Sequence, residues 1–112
     1  MNTDMKNKVA VVTGGSSGIG LASAAAFLRD GAKVAICGRN QERLDVAEAE
    51  LAQISGVENV LAVVCDVLSE ADVDKLHDRV AETFGRCDTL VCNAGQARAS
   101  TFYNTGDQDW RD

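Results

Sequence analysis

The chain has 112 residues, of which 46% are hydrophobic and 25% are charged, a balance typical of one soluble globular domain. Its net charge is -6 at pH 7, from 17 acidic against 11 basic residues, which excludes the basic surface that binds nucleic acid. No apolar run is long enough to cross a membrane, and the first residues lack the apolar segment of a secretory signal. We therefore expect a cytoplasmic protein that binds neither membrane nor nucleic acid.

Strand and helix patterns alternate along the chain. The run "KVAVVT", residues 8–13, is apolar and β-branched throughout, which predicts a strand buried on both faces. Similar runs predict further strands at residues 33–37, 60–65 and 89–92. Strand starts recur about every 25–30 residues, the length of a βαβ unit, so we predict a parallel sheet with helices on both faces.

Three helices are predicted between these strands. The first spans residues 18–30 and ends at Gly31. Asn40 caps the second, which has an apolar face and ends at Gly56; the face is formed by Leu44, Ala47, Leu51 and Ile54. Ser69 and Asp72 form a weak version of a capping box at the start of the third helix, which ends at Gly85. The apolar face of this helix is formed by Val73, Leu76, Val80 and Phe84.

The stretch "TGGSSGIG", residues 13–20, joins the first predicted strand to the first helix. A helix N-terminus attracts an anion, provided that the chain turns sharply and the ligand can approach the backbone. We expect Gly14 to allow the turn, Gly18 the approach and Gly20 the packing of helix on strand. Ser16 and Ser17 add hydroxyl donors. The stretch is predicted to bind a diphosphate; the alternative is a merely flexible loop, and no Gly-Lys-Ser/Thr follows as in a Walker loop.

Three further motifs follow in order: "GRN" at residues 38–40, "CDV" at residues 65–67 and "NAG" at residues 93–95. Together with the glycine stretch, they resemble the short-chain dehydrogenase/reductase family over essentially the whole chain. The resemblance implies an α/β fold of the Rossmann type. Its parallel sheet would have strand order 3-2-1-4 with flanking helices and would be truncated before its second half. It also implies binding of NAD(H) or NADP(H), with Ile19 among the contacts of the glycine stretch.

The second motif bears on the choice of cofactor. An acidic residue commonly ends the second strand when the ribose 2′-hydroxyl is free. Gly38 occupies that position here, and Arg39 and Asn40 follow it. Because a guanidinium would attract a 2′-phosphate, NADP(H) is favoured over NAD(H). The alternative is that Arg39 is a solvated cation at the start of a helix.

The last two motifs supply the remaining contacts that the resemblance implies. Asp66 matches an aspartate that contacts adenine, with Val67 offering its backbone, although Asp66 could instead cap the turn that follows it. Asn93 matches an asparagine that ties the strands together. Ala94 and Gly95 leave room for the ribose, unless residues 93–95 are a plain turn.

The catalytic groups of the resembled family are missing from the sequence. That family uses a Ser and a Tyr-x-x-x-Lys motif, whereas Tyr103 is followed four residues later by Asp107 and the last lysine is Lys75. Ser100 and Tyr103 are interpreted as loop residues at the mouth of the cleft. We therefore expect residues 1–112 to be the N-terminal, dinucleotide-binding part of one Rossmann domain, with no catalytic residue of its own.

The implied parent protein is an NADP(H)-dependent oxidoreductase that transfers hydride between nicotinamide and a small carbonyl or alcohol substrate, and we expect it to be a homo-oligomer. One alternative is a non-catalytic NADP(H)-binding fragment or sensor, and residues beyond 112 would discriminate the two. Another is an S-adenosylmethionine-dependent methyltransferase, but that class would require an acidic residue near position 38.

The four cysteines do not form a metal-binding motif. They lack any CxxC pair, and His77 is distant from them in sequence; they are Cys37, Cys65, Cys87 and Cys92. We expect reduced, unliganded thiols and no bound metal.

Overall fold

The computed structural model describes residues 5–16 and 18–93. Within these residues the chain forms four strands and three α-helices in alternation: β1 (Val9–Thr13), α1 (Gly18–Arg29), β2 (Lys33–Gly38), α2 (Gln41–Ser55), β3 (Val60–Val64), α3 (Glu70–Phe84) and β4 (Thr89–Cys92). A single 3₁₀ turn, Val57–Asn59, precedes β3. The predicted elements are confirmed, with boundaries that differ by one residue at most.

The four strands form one parallel sheet in the order β3-β2-β1-β4, as expected. Thr13 at the end of β1 pairs with Cys37 of β2 on one side and with Cys92 of β4 on the other. Gly38 at the end of β2 pairs with Val64, the last residue of β3. This register brings the carboxyl ends of all four strands to one edge, where ligands of open α/β sheets bind.

The core consists of two layers separated by the sheet. Val12 and Ile36 point towards α1 and α2, whereas Val11 and Ala35 point towards the layer that contains Leu76 of α3. Every residue of β1 is buried because β1 has a strand on each side and helices on both faces. Burying each such aliphatic side chain contributes about 1.5–3 kcal/mol. The buried central strand therefore provides a rigid base for the loop that follows it.

The helix caps position the segments at the carboxyl edge. The Asn40 carboxamide oxygen accepts the backbone N–H of Arg43 at 3.0 Å, and the Ser69 hydroxyl oxygen accepts that of Asp72 at 3.3 Å. The Asp72 carboxylate accepts the N–H of Asp66 at 2.9 Å, whereas a capping box would direct it to the cap residue Ser69 itself. The start of α3 is thereby tied to the loop after β3.

No helix in the described part of the chain is both long and apolar enough to cross a membrane.

Candidate nucleotide-binding site

Backbone hydrogen bonds join the segments at the carboxyl ends of β1, β2 and β3. The N–H groups of Gly14 and Gly15 both donate to the carbonyl of Cys37, at 3.0 and 3.3 Å. Cys65 N–H donates to the carbonyl of Gly38 at 2.9 Å. The glycine loop, the end of β2 and the start of the segment after β3 are thus held together as one surface.

The glycine loop has the sharp turn that its sequence predicts. Gly14 has a φ of 68° and Gly18 a φ of 57°, in the left-handed region that favours glycine. Gly18 begins α1 and is exposed, and a Cβ added to it would meet no atom within 4 Å. The space above this first turn is therefore open to a ligand. A side chain at position 18 would occupy part of that space.

Two other glycines are required by close packing. A Cβ at Gly20 would collide with the carbonyl of Gly14, so α1 packs closely here against the loop that precedes it. A Cβ at Gly15 would lie 2.6 Å from Cγ2 of Ile36 on β2. The need for Gly15 was not predicted from the sequence, because the contact that requires it comes from a neighbouring strand.

An open pocket of about 490 Å³ lies beside the glycine loop, and we call it the two-arginine pocket; it is lined by Ser16, Arg39, Asn40 and Arg43. Three of these four residues were predicted to contact cofactor. Arg43 was not, although it follows Arg39 by four residues across the start of a helix, a spacing that can bring two side chains together. A Cβ at Gly38 would lie 3.3 Å from the Ser16 hydroxyl oxygen, so the loop overhangs the end of β2.

Asp66 makes the turn contact that was the alternative to its predicted role. Its Oδ1 accepts the N–H of Leu68 at 3.0 Å, and its carbonyl accepts the N–H of Ser69 at 2.8 Å. One carboxylate oxygen is thus used in the turn, while the residue remains partly exposed at the carboxyl edge. The side chain of Val67 packs against the core on the α3 side. The contacts of both residues with adenine stay predictions.

Thr13 ties β1 to the end of β4. Its hydroxyl accepts the backbone N–H of Asn93 at 3.0 Å and donates to the carbonyl of Val91 at 3.3 Å. The backbone N–H of Asn93 therefore joins the end of β4 to β1 through Thr13, while the role that the resemblance implies for Asn93 stays a prediction. Thr13 was not predicted as a site residue, although a hydroxyl at the end of an otherwise apolar strand is a signal that could have indicated this contact.

Ile19 is also among the predicted cofactor contacts that lie within the described residues. Ile19 is 78% exposed in the first turn of α1, so its side chain is accessible to a ligand. Ser17, Ala94 and Gly95 lie outside the described residues, as do Ser100 and Tyr103. Their roles remain as the sequence predicts them.

The cysteines give no sign of a metal site in residues 5–16 and 18–93, where no three His, Cys, Asp or Glu side chains are grouped as ligands. Cys37 and Cys65 are both buried. The hydrogen bond with Cys65 and then burial raise the pKa of the Cys37 thiol far above its usual value, and burial raises the pKa of Cys87 to about 11. At neutral pH these two groups are therefore neutral thiols.

The family model for short chain dehydrogenases matches residues 8–112. The chain belongs to the short-chain dehydrogenase family. It is 42% identical, over 111 residues, to the NADP-dependent (R)-specific alcohol dehydrogenase of Lentilactobacillus kefiri. That alignment covers 99% of the chain and 43% of the relative.

Two solved structures are similar to this chain in fold and sequence. The L-sorbose reductase of Gluconobacter frateurii, solved in complex with NADPH and L-sorbose, matches with a TM-score of 0.79 and 40% identity over 99% of this chain and 42% of its own. The glucose dehydrogenase of Caenorhabditis elegans, solved in its apo form, matches with a TM-score of 0.79 and 40% identity over 92% of this chain and 44% of its own. The chain thus spans less than half the length of each of these three relatives.

Proposed function

We propose that this chain is the cofactor-binding N-terminal part of one Rossmann domain, in an oxidoreductase that transfers hydride between NADP(H) and a carbonyl or alcohol. Its family supports the oxidoreductase class, and the NADP and NADPH named for two relatives support the cofactor. The observation that carries the choice of NADP(H) is the two-arginine pocket beside the glycine loop.

The residues at the carboxyl edge fit a dinucleotide. The glycine loop turns directly into α1, whose first N–H groups have no partner within the helix and favour a diphosphate. The open space above Gly18 would admit the diphosphate close to the backbone. Asp66 and Val67 follow β3 at the same edge and would contact the adenine.

The end of β2 fits a ribose that has a 2′-phosphate better than a ribose with a free 2′-hydroxyl. An acidic side chain at position 38 would bind a ribose hydroxyl, but Gly38 has none, and a Cβ there would crowd the Ser16 hydroxyl. Arg39 and Arg43 instead contribute two positive charges to the pocket, and Ser16 contributes a hydroxyl donor. Such a set of donors suits a phosphate group.

The residues of this chain would bind and orient the dinucleotide. When bound, its nicotinamide would supply or accept the hydride. Since the sequence contains no Tyr-x-x-x-Lys, we propose that the groups that move the proton lie outside these 112 residues. We propose further that the whole enzyme is a cytoplasmic homo-oligomer that acts on a small molecule and not on nucleic acid, in keeping with its acidic charge.

The test is a titration of NADPH and NADH against the full-length protein and its Arg39→Ala variant. The wild type should bind NADPH more tightly. The variant should lose about 10- to 100-fold of that preference, because a hydrogen bond to a charged group contributes about 1.5–3 kcal/mol. Arg79→Ala removes the same charge from an exposed position of α3 and should leave the preference unchanged. An equal preference in wild type and Arg39→Ala would contradict the proposal.

A further inference from the structure

The turn between β3 and α3 holds Asp66 through contacts that the proposed function does not use. Resting on the adenine contact of Asp66 in that proposed function, we propose that Asp72 is a positioning residue, which sets the orientation of the Asp66 carboxylate towards the adenine amino group. Asp72 is the third residue of α3, and its Oδ2 accepts the backbone N–H of Asp66 at 2.9 Å. In this role it acts through Asp66 and does not itself contact the cofactor.

The sheet fixes the chain only as far as Cys65. The N–H of Cys65 donates to the carbonyl of Gly38 at 2.9 Å, which continues the pairing of β3 with β2 past the end of both strands. β3 lies at the end of the strand order, so the N–H groups on its outer side face no further strand within the described residues. The N–H of Asp66 is paired outside the sheet, and Asp72 supplies the acceptor.

Three hydrogen bonds close a ring around this turn. Asp66 donates its N–H to the Asp72 carboxylate, Asp72 donates its N–H to the Ser69 hydroxyl oxygen at 3.3 Å, and Ser69 donates its N–H to the Asp66 carbonyl at 2.8 Å. Both backbone polar groups of Asp66 are thereby held by the start of α3. Since α3 is anchored in the core by Val73 and Leu76, the ring ties the position of Asp66 to that of the helix.

The Asp66 carboxylate has one oxygen left for a ligand. Its Oδ1 accepts the N–H of Leu68 at 3.0 Å, a contact within the turn that restricts the side-chain torsion. Within residues 5–16 and 18–93, its Oδ2 accepts no hydrogen bond and forms no ion pair. A hydrogen bond weakens steeply as its angle departs from linearity, so the strength of a contact with this oxygen depends on how the Asp66 backbone is held.

Asp72 could affect Asp66 through geometry or through charge, and two substitutions separate these effects. Asp72→Asn keeps an acceptor oxygen at the same distance from the backbone but removes the charge. Asp72→Glu keeps the charge but places the carboxylate one carbon further out, and Asp72→Ala removes both. The positioning role therefore predicts that Asp72→Asn behaves like the wild type and that the other two variants do not.

The probes are NADPH and its hypoxanthine analogue, in which a carbonyl replaces the adenine amino group. Their affinities would be measured calorimetrically on the full-length protein. The wild type should bind NADPH about five- to tenfold more tightly, because the Asp66 carboxylate accepts a hydrogen bond from the amino group. Asp72→Ala and Asp72→Glu should reduce this preference to about twofold or less, whereas Asp72→Asn should retain it. Because partial unfolding weakens both affinities by the same factor, the preference does not report a loss of stability.

Two further variants serve as controls. Asp66→Ala should abolish the preference, and Asp74→Ala, at an exposed position of the same helix, should leave it unchanged. If Asp72→Ala does not fold, Asp72→Asn and Asp72→Glu carry the test.

A wild-type preference in Asp72→Ala or Asp72→Glu would overturn the inference, because Asp72 would then serve only the fold of the turn. A loss of preference in Asp72→Asn would also overturn it, because Asp72 would then act through its charge. If the wild type does not distinguish the probes, or if Asp66→Ala retains the preference, the adenine contact in the proposed function is itself wrong.

Discussion

At the scale of single residues, Gly18 and Gly20 are two positions apart, yet a side chain would have opposite consequences at the two sites. At Gly20 a Cβ would strike the carbonyl of Gly14, so this glycine is needed for folding even without a ligand. At Gly18 a Cβ would enter open space. The requirement at Gly18 therefore comes from its left-handed backbone and from whatever approaches it, which makes this position suitable for testing the diphosphate prediction.

We expect Gly18→Val to abolish cofactor binding while secondary structure is largely retained, because the methyl groups would occupy the place of the diphosphate. Its φ of 57° also strains any side chain, at a cost of about 1–3 kcal/mol. Gly85→Val is the matched control: Gly85 has a φ of 79° and open space, but it ends α3 at the opposite edge of the sheet. Circular dichroism and a cofactor titration compare the two variants. Unchanged cofactor affinity in Gly18→Val would contradict the prediction that this loop binds the diphosphate.

The cysteines should be reduced and free of metal in the purified protein. The sequence has no CxxC pair, and no group of three possible ligands occurs in the described ranges, which disfavours zinc. Metal analysis together with a thiol titration under denaturing conditions measures this directly. About one equivalent of zinc per chain would prove the expectation wrong.

At the scale of elements, Asp88 joins the start of β4 to β1. Its Oδ2 accepts the N–H of Val9 at 2.8 Å, and its Oδ1 pairs with Arg86 at 2.6 Å. Partial burial alone would raise the pKa of Asp88, but the hydrogen bonds from Arg86 and Val9 outweigh it and hold that pKa below the usual value. The ionised carboxylate therefore stabilises the junction of these two strands.

This pKa shift predicts a pH-dependent contribution to stability. Because the folded-state pKa is the lower one, the contribution is complete above the unfolded-state pKa, about 3.9, and is lost as the pH falls through the folded value. Asp88→Asn should lower the free energy of unfolding by about 1 kcal/mol near neutral pH, and the difference should shrink under acid conditions. Denaturant unfolding at several pH values tests this, with Asp74→Asn on the exposed side of α3 as control. A difference that grows as the pH falls would contradict the assignment.

The elements followed from the sequence, but some contacts at the site did not. Asn40, Ser69 and Gly85 end or begin helices through local hydrogen bonds and backbone angles, which short sequence patterns specify. The need for Gly15 arises from Ile36 on another strand, and the place of Arg43 in the pocket depends on how its side chain extends from α2. Such contacts depend on tertiary packing, for which the local pattern has no signal.

At the scale of the whole molecule, β4 differs from the other strands of the sheet. It lies at one end of the order β3-β2-β1-β4, and Leu90 and Val91 are only half-buried, whereas every residue of β1 is buried. An edge strand with exposed apolar side chains and unpaired backbone groups favours association. Under the proposed function, further parts of the same domain would cover this edge.

We therefore expect residues 1–112 alone to fold poorly and to associate. A complete domain has only about 5–15 kcal/mol of stability, which the loss of half its packing could exceed. Size-exclusion chromatography of residues 1–112 beside the full-length protein tests this expectation. If residues 1–112 are monomeric and unfold cooperatively, this expectation is wrong, because the edge of β4 then needs no further elements to cover it.

Under the proposed function, this chain binds the cofactor while the proton-transferring groups lie elsewhere in the protein. The most direct test is the steady-state oxidation of NADPH with a panel of ketones, measured for the full-length protein and for residues 1–112. We predict turnover by the full-length protein, with NADPH preferred to NADH, and none by residues 1–112, which contain no Tyr-x-x-x-Lys. Steady turnover by residues 1–112 would contradict the claim, because a proton donor would then have to lie within this chain.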